Sequence, residues 1–422
     1  MNKILLGCIA DDFTGATDLA NNLVRSGMKV VQTVGVPSEP LQASADAVVV
    51  SLKSRTVDPS EAIAQSLSAL RWLQGQGVEQ IYFKYCSTFD STPKGNIGPV
   101  TDALMDALGT KFTVATPAFP DAGRKVFKGH LFVGDVLLNE SGMQDHPLTP
   151  MTDPNLVRVM QAQTRRRVGL IDYAVLAQGA AAVQKRIADL ITEGVEIAIV
   201  DAISNEDLHR LGPALMGMPL VTAGSGVAIA LGANFGIQPN DVAGVLPKVS
   251  GLRAIVSGSC SRATNGQVAE FIATGAPHLA IDPLALIDTQ LAVENTLKWA
   301  ATHLVNGPVL IYSTAQPEQL KAVQQRLGVE QAGALVEQTL ASIAVGLGKL
   351  GVRQLVVAGG ETSGAVVQAL QIDQLQIGSQ IDPGVPWCSG FARSLNSSMH
   401  ITLKSGNFGS PDFFTKSFDR IA

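Results

Sequence analysis

The sequence predicts a two-domain α/β protein, each domain a largely parallel sheet covered by helices. Three observations predict it. The chain has 422 residues, beyond the roughly 250–300 at which one hydrophobic core stops growing. Short apolar runs alternate with segments of helical period, and the runs are apolar on both faces, as strands covered on both sides must be. At residues 238–250, QPNDVAGVLPKVS, the pattern breaks with two prolines and no period, and then restarts. The domains are accordingly placed at residues 1–240 and 250–422.

Each element follows from its pattern. Buried strands are expected at Ile4–Ile9, Lys29–Val34, Ala47–Leu52, Gln80–Lys84, Phe112–Thr116, Val168–Ile171, Glu196–Val200 and Leu220–Ala223. Amphipathic helices are expected at Thr14–Ser26, Pro59–Gln74, Gly98–Leu108 and Gly179–Glu193. Arg124–Glu140 alternates and turns at Gly129 and Gly134, which reads as a hairpin or flap at a rim. A small-residue helix should follow the Gly224-Ser225-Gly226 turn. The second domain reads as strand Arg253–Val256, helix Asn265–Thr274, strand Leu279–Asp282, helix Val293–Val305 and strand Val309–Tyr312. A helical region from Glu318 to about Leu347, strand Gln354–Val357 (its run reaching Ala358) and helix Ala365–Leu370 complete it. Alternating Ile401 and Leu403 in the tail suggest a strand edge and a closing loop.

Composition narrows the class of partner. Charged residues make up 16% and the formal net charge is −5, with lysines and arginines scattered, so nucleic acid is not an expected partner. The run Arg165-Arg166-Arg167 opens a strand and reads as a solvated edge. Four widely spaced cysteines offer neither a disulfide framework nor a metal spacing, which fits reduced thiols in a cytoplasmic protein. The opening apolar run stops at Asp11-Asp12 and is a strand rather than a leader. The uncharged stretch Leu211–Asn240 is broken by prolines and glycines, so no membrane span is expected.

Chemistry-bearing residues cluster at predicted strand C-termini, the edge where open α/β sheets bind ligands. Strand one ends in Asp11-Asp12-Phe13-Thr14-Gly15. A carboxylate there could accept a hydroxyl proton or hold Mg²⁺ through water, or could simply cap a helix, for which Thr14 is the expected residue. Arg55 closes another strand and could offer a fork to a carboxylate. Lys84-Tyr85-Cys86-Ser87-Thr88-Phe89-Asp90-Ser91-Thr92-Pro93-Lys94-Gly95-Asn96 is a polar loop able to take a small polyhydroxylated anion. His130 and His146 lie in the flap region without a partner motif. In the second domain, three glycine turns follow strands: Ser257-Gly258-Ser259, Gly359-Gly360-Glu361-Thr362-Ser363-Gly364, and Lys404-Ser405-Gly406. Their amides, with a helix N-terminus, suit phosphate. No Walker A, GxSxG or HExxH pattern is present, and no GxGxxG follows the first strand of either half.

The Asp11–Ala16 segment, KYCSTFDSTPKGNIGPV from Lys84 and GGETSG from Gly359 together resemble the four-carbon acid sugar kinase family, in motif order and over essentially the whole chain. The resemblance implies a sugar-acid-binding domain at residues 1–240, a nucleotide-binding domain at 250–422, and an active site in the cleft between them. It implies ATP-dependent phosphorylation of the terminal hydroxyl of a four-carbon sugar acid, with ATP and Mg²⁺ required. The form of the Lys84 segment resembles the branch acting on 3-oxo-tetronate. Threonate or erythronate kinases carry a shorter version, with an Arg where Pro93-Lys94 stand here. By motif, Asp12 or Asp90 would orient or deprotonate the hydroxyl, while Asp11, Arg55, Lys84 and Ser91 would face the acid. Ser257, Gly258, Ser259, Gly359, Gly360, Glu361, Thr362, Ser363 and Gly406 would contact ATP, and no residue is assigned to a metal. Homo-oligomerisation stays open. A non-catalytic sugar-acid sensor and a two-domain dehydrogenase are the competing readings. The glycine turns argue against the first, and the absence of GxGxxG after the first strand of either half argues against the second.

Overall fold

The computed structural model describes residues 3–41, 43–89, 92–145, 149–281, 289–313 and 329–421. The expected Asp90, Ser91 and His146 therefore lie outside the described residues, as do Asp282 and the start of the helical region at Glu318. The chain divides into two compact units, Met1–Ala243 and Gly244–Ala422.

The first unit carries eight parallel strands: β1 (Leu6–Ala10), β2 (Val30–Val34), β3 (Ala47–Ser51), β4 (Gln80–Lys84), β5 (Thr113–Thr116), and, after the flap, β9 (Val168–Ile171), β10 (Ile197–Val200) and β11 (Leu220–Ala223). Their order is β2-β3-β1-β4-β11-β5-β10-β9. Every residue of β1, β3, β4, β5, β10 and β11 is buried, which is why these strands read as largely apolar, non-alternating runs. From β1 the chain crosses to the β2 side of the sheet, and from β4 it leaves towards the other side. The β1/β4 junction is thus a switch point, where the divergent loops leave a crevice.

The flap is a three-stranded antiparallel sheet, β6 (Arg124–Phe127), β7 (His130–Val133) and β8 (Val136–Leu137). Asp201, just past the end of β10, holds its tip by accepting from the amides of Lys128 (2.7 Å) and Gly129 (2.8 Å). The small-residue helix expected after Gly226 is instead two short 3₁₀ segments, Gly226–Ala230 and Gly232–Phe235.

The second unit orders its strands β13-β14-β12-β15-β18-β17-β16. These are β12 (Leu252–Ser257), β13 (His278–Ala280), β14 (Val309–Tyr312), β15 (Val352–Ala358), β16 (Gln374–Asp382), β17 (Val385–Ala392) and β18 (Ser397–Lys404). The first five in spatial order are parallel; β17 pairs antiparallel with both neighbours. The tail strand expected at an edge is therefore interior: β18 lies between β15 and β17, and its last six residues are buried. Alternation in sequence misled here because Thr402 and Lys404 point into the protein, Thr402 donating to the Pro386 carbonyl at 2.7 Å. The core gathers Ile255, Phe271, Val356, Trp387, Phe413 and Phe414. The helix expected from Ala365 begins at Gly360, so residues 360–363 form its first turn and Gly359 alone makes the bend, at φ +125°. The order around β12 repeats that around β1: first strand inside, second outermost, third adjacent, fourth across. The β12/β15 junction is accordingly a second switch point.

Candidate functional site

At the first switch point, β1 ends in Asp11 and Asp12, β4 ends in Lys84, and the segment after β3 brings Arg55. Arg55 grips Asp11 with both arms of its fork, Nε to Oδ2 at 3.0 Å and Nη2 to Oδ1 at 2.8 Å, and Nη2 also reaches Asp12. The fork that the sequence offered to an outside carboxylate is thus already engaged by an internal one. Asn96 fixes the Arg55 segment, its Nδ2 donating to the carbonyls of Ser54 (2.8 Å), Arg55 (3.1 Å) and Val57 (2.9 Å).

Asp12, not Thr14, caps the helix Phe13–Arg25. Its extended backbone (φ −145°) lets the carboxylate accept from the Gly15 amide at 3.2 Å, while the Thr14 hydroxyl donates to the same oxygen at 3.1 Å. A cap's side chain must stand outside the helix to reach back to its free amides, which Asp12 does and Thr14, inside the first turn, does not. Burial pushes the Asp12 carboxyl up. Arg55, Lys84, the Gly15 amide and the Thr14 hydroxyl outweigh it and hold the group below the usual carboxylate range. For Asp11, burial outweighs Arg55 and the shift is upward. Lys84 is 2% exposed, and its ammonium makes no hydrogen bond to another described residue. A Cβ on Gly15 would stand 2.0 Å from Asp12 Oδ1 and 2.7 Å from Lys84 Nζ, so only glycine admits both charged groups to this floor.

One residue was missed by reasoning from sequence. Asp18 is 4% exposed, accepts from the Ser225 hydroxyl through Oδ2, and leaves Oδ1 without a partner among the described residues. Burial pushes its pKa up to about 6, against the pull of Lys84 and Ser225. The signal lay in the helix itself. Thr14, Thr17, Asp18 and Asn21 recur at helical spacing and all are buried, a polar stripe where an apolar one is the rule.

At the second switch point the three glycine turns converge. The Gly258 amide donates to the Ala358 carbonyl at 2.9 Å, and the Gly359 amide to the Lys404 carbonyl at 2.8 Å. The Gly406 carbonyl accepts from Thr264 Oγ1 (2.8 Å) and from Ser261, the N-cap of helix Arg262–Ala273. Ser257, Gly258, Ser259, Gly359, Gly360, Glu361, Thr362 and Gly406 thus line one end of β12, β15 and β18, beside two helix N-termini. First-turn amides lack intrahelical partners and present positive partial charge, the ready-made bed for an anion. Ser363 differs from its expected place: its side chain is fully buried and its hydroxyl has no partner among the described residues.

Carboxylates and cations at one switch point and amide-rich glycine turns at another suit a small polar ligand and a phosphate-bearing one. Residues 6–231 match the family model of a sugar-binding N-terminal domain, and residues 254–414 that of a nucleotide-binding C-terminal domain. Fold and domain pair together define a two-domain small-molecule kinase.

The chain is 59% identical to a 3-oxo-tetronate kinase of Burkholderia multivorans, over 98% of this chain and 97% of that one. It is 57% identical to one of Pseudomonas fluorescens, over 99% and 97%. It belongs to the four-carbon acid sugar kinase family, in the 3-oxo-tetronate kinase branch. Among solved structures, a Salmonella typhimurium protein superposes with a TM-score of 0.90 at 44% identity, covering 99% of both chains. The Haemophilus influenzae protein HI1011 gives 0.81 at 45%, covering 99% of this chain and 100% of its own.

Proposed function

We propose that this protein transfers the γ-phosphoryl group of ATP to the terminal hydroxyl of 3-oxo-tetronate, giving 3-oxo-4-phosphotetronate and ADP. The observation that carries this reading is identity of 46–59% to 3-oxo-tetronate kinases over nearly the full chain. The unit Met1–Ala243 takes the sugar acid and the unit Gly244–Ala422 takes ATP.

Phosphoryl transfer is mostly positioning and charge neutralisation. Lys84 is the cation for the acid's carboxylate, because Arg55 is spent on Asp11 and Asp12 and serves to hold them. Asp12 orients the attacking hydroxyl by accepting its hydrogen bond. Its depressed pKa makes it a weak proton acceptor, which a loose transition state tolerates because the hydroxyl need not be deprotonated before attack. Asp90 and Ser91 are assigned to the acid by motif alone. The amides of Ser259, Gly360 and Glu361 and the Gly406 turn take the phosphates, with Ser257, Gly258, Gly359 and Thr362 shaping the bed. The buried Ser363 supports the first helical turn from beneath.

Among the described residues, no group of three or more His, Cys, Asp or Glu side chains could hold a metal ion. Mg²⁺, an ion that keeps several waters and needs few protein ligands, is assigned here to the nucleotide's phosphates and water. No helix among the described residues is long and apolar enough to cross a membrane; the cytoplasmic location is proposed from the four widely spaced cysteines.

A coupled ADP-release assay with 3-oxo-tetronate, threonate and erythronate, backed by ³¹P NMR of the product, tests the reading. ADP release and a phosphomonoester with 3-oxo-tetronate are expected. Failure of all three acids to release ADP would overturn it.

A further inference from the structure

Lys404 ends the interior strand β18, and its side chain is 0% exposed. Its Nζ donates to Thr264 Oγ1 (2.9 Å) and to the carbonyls of Ser405 (3.1 Å), Gly406 (3.2 Å) and Phe408 (3.2 Å). All four acceptors are neutral, and no carboxylate among the described residues forms an ion pair with it. The contrast within the same unit is Lys416, which pairs with Asp382 at 2.6 Å. Around Lys404, the helix Arg262–Ala273 brings the exposed Arg262 and Glu270, and the helix Gly360–Leu370 brings the exposed Glu361. The C-terminal segment and β16 bring Asp412, Lys416 and Asp382, which are engaged with one another, and β18 itself brings His400, bonded to the Pro247 carbonyl. None of them supplies Lys404 with a counter-charge. The N-terminus of helix Arg262–Ala273 adds further positive potential.

We propose that Lys404 is a positioning residue of the nucleotide bed whose counter-charge is the bound nucleotide's phosphates, so that nucleotide binding draws a proton onto its amine. The inference rests on the proposed nucleotide site and deepens it.

Two features couple the amine to that site. The Lys404 backbone accepts from the Gly359 amide, and the Gly406 carbonyl is shared by Lys404, Thr264 and Ser261. An ammonium has three N–H groups for these oxygens, whereas a neutral amine has two and turns a lone pair towards a carbonyl. The protonated form therefore holds the Gly406 turn in shape. Burial alone opposes it, lowering the pKa from 10.5 to about 7. An added phosphate charge in this low-dielectric setting favours the ammonium. The sign is then set: below pH 7 the amine is already charged and binding is independent of pH. Above it, binding costs the uptake of a proton and weakens.

The test uses the full chain with ¹³Cε-labelled lysine, titrated with and without saturating MgADP. One lysine resonance should titrate near pH 7, far from ordinary lysines near 10.4, and move up by about one unit when MgADP binds. By linkage, a one-unit rise equals a tenfold loss of MgADP affinity over the whole titration, about fivefold of it between pH 7 and 9, measured by calorimetry on the unmodified protein. Lys404→Met should abolish that resonance and flatten the affinity profile. If that variant fails to fold, the wild-type titration and calorimetry still decide. Absence of MgADP binding at any pH would sink the nucleotide site itself. Binding with no lysine titrating near 7, or with a midpoint that MgADP leaves unmoved, would overturn the role of Lys404 alone.

Discussion

Replacing Asp18 by asparagine should stabilise the first unit, and only where the carboxylate would be ionised. Asp18 is buried and its Oδ1 has no partner among the described residues, so its charged form is poorly solvated. Its pKa is raised from 3.8 to about 6. A carboxyl with a raised folded-state pKa contributes stability that is whole below the unfolded value and lost as pH rises through the folded value. About two units at 1.36 kcal/mol each make the ionised side chain cost about 3 kcal/mol at pH 7.5. Asparagine keeps an acceptor for the Ser225 hydroxyl and carries no charge. The variant should therefore match wild type near pH 4 and exceed it at pH 7.5, by roughly 6–12 °C in Tm for a unit of this size. Thermal unfolding of both proteins across pH 4–8 measures it. An equal offset at both ends of the range, or a less stable variant at pH 7.5, would refute the electrostatic cost assigned to Asp18.

Other substitutions separate the two sites. Gly15→Ala forces a Cβ to within 2.0 Å of Asp12 Oδ1 and 2.7 Å of Lys84 Nζ. It should raise KM for the acid at least about tenfold while leaving KM for ATP unchanged, read from steady-state kinetics. Gly258→Ala places a Cβ 2.3 Å from Thr362 Oγ1, so the reverse pattern is expected: weaker MgADP binding by calorimetry, with the affinity for the acid retained. Arg55→Lys keeps the charge and loses the two-armed grip on Asp11. Its kcat/KM should fall by about tenfold or more and Tm should drop, because two carboxylates are left with imperfect partners. Unchanged kinetics would show that the Arg55 fork is not needed to hold Asp11 and Asp12.

Much of the fold was legible because each strand's surroundings are written locally. The runs at Ala47, Ile197 and Val309 are apolar on both faces, and a strand buried on both faces can read no other way. What misled was local polarity inside the core. Thr402 and Lys404 made β18 look like an edge, and the glycines after Ala358 looked like a loop although Gly359 alone bends the chain. The sites were half legible. Asp11, Asp12, Lys84 and the glycine turns stand out at strand ends. Whether Arg55 faces a ligand or Asp11, and whether Asp12 or Thr14 caps the helix, depends on backbone geometry that residue types do not express.

The amino-acid sequence by itself determined the class of fold, the division near residue 240 and the places along the chain where chemistry is possible. Those follow from local propensity, burial pattern and the special conformations of glycine and aspartate. Only the tertiary structure decided that β1 lies beside β3 and β4, and that β12, β15 and β18 are neighbours. That strand order brings Arg55 to Asp11 across 44 residues and Lys404 to Thr264 across 140. Contacts so distant along the chain are selected by the packing of whole elements, which no short stretch of sequence encodes.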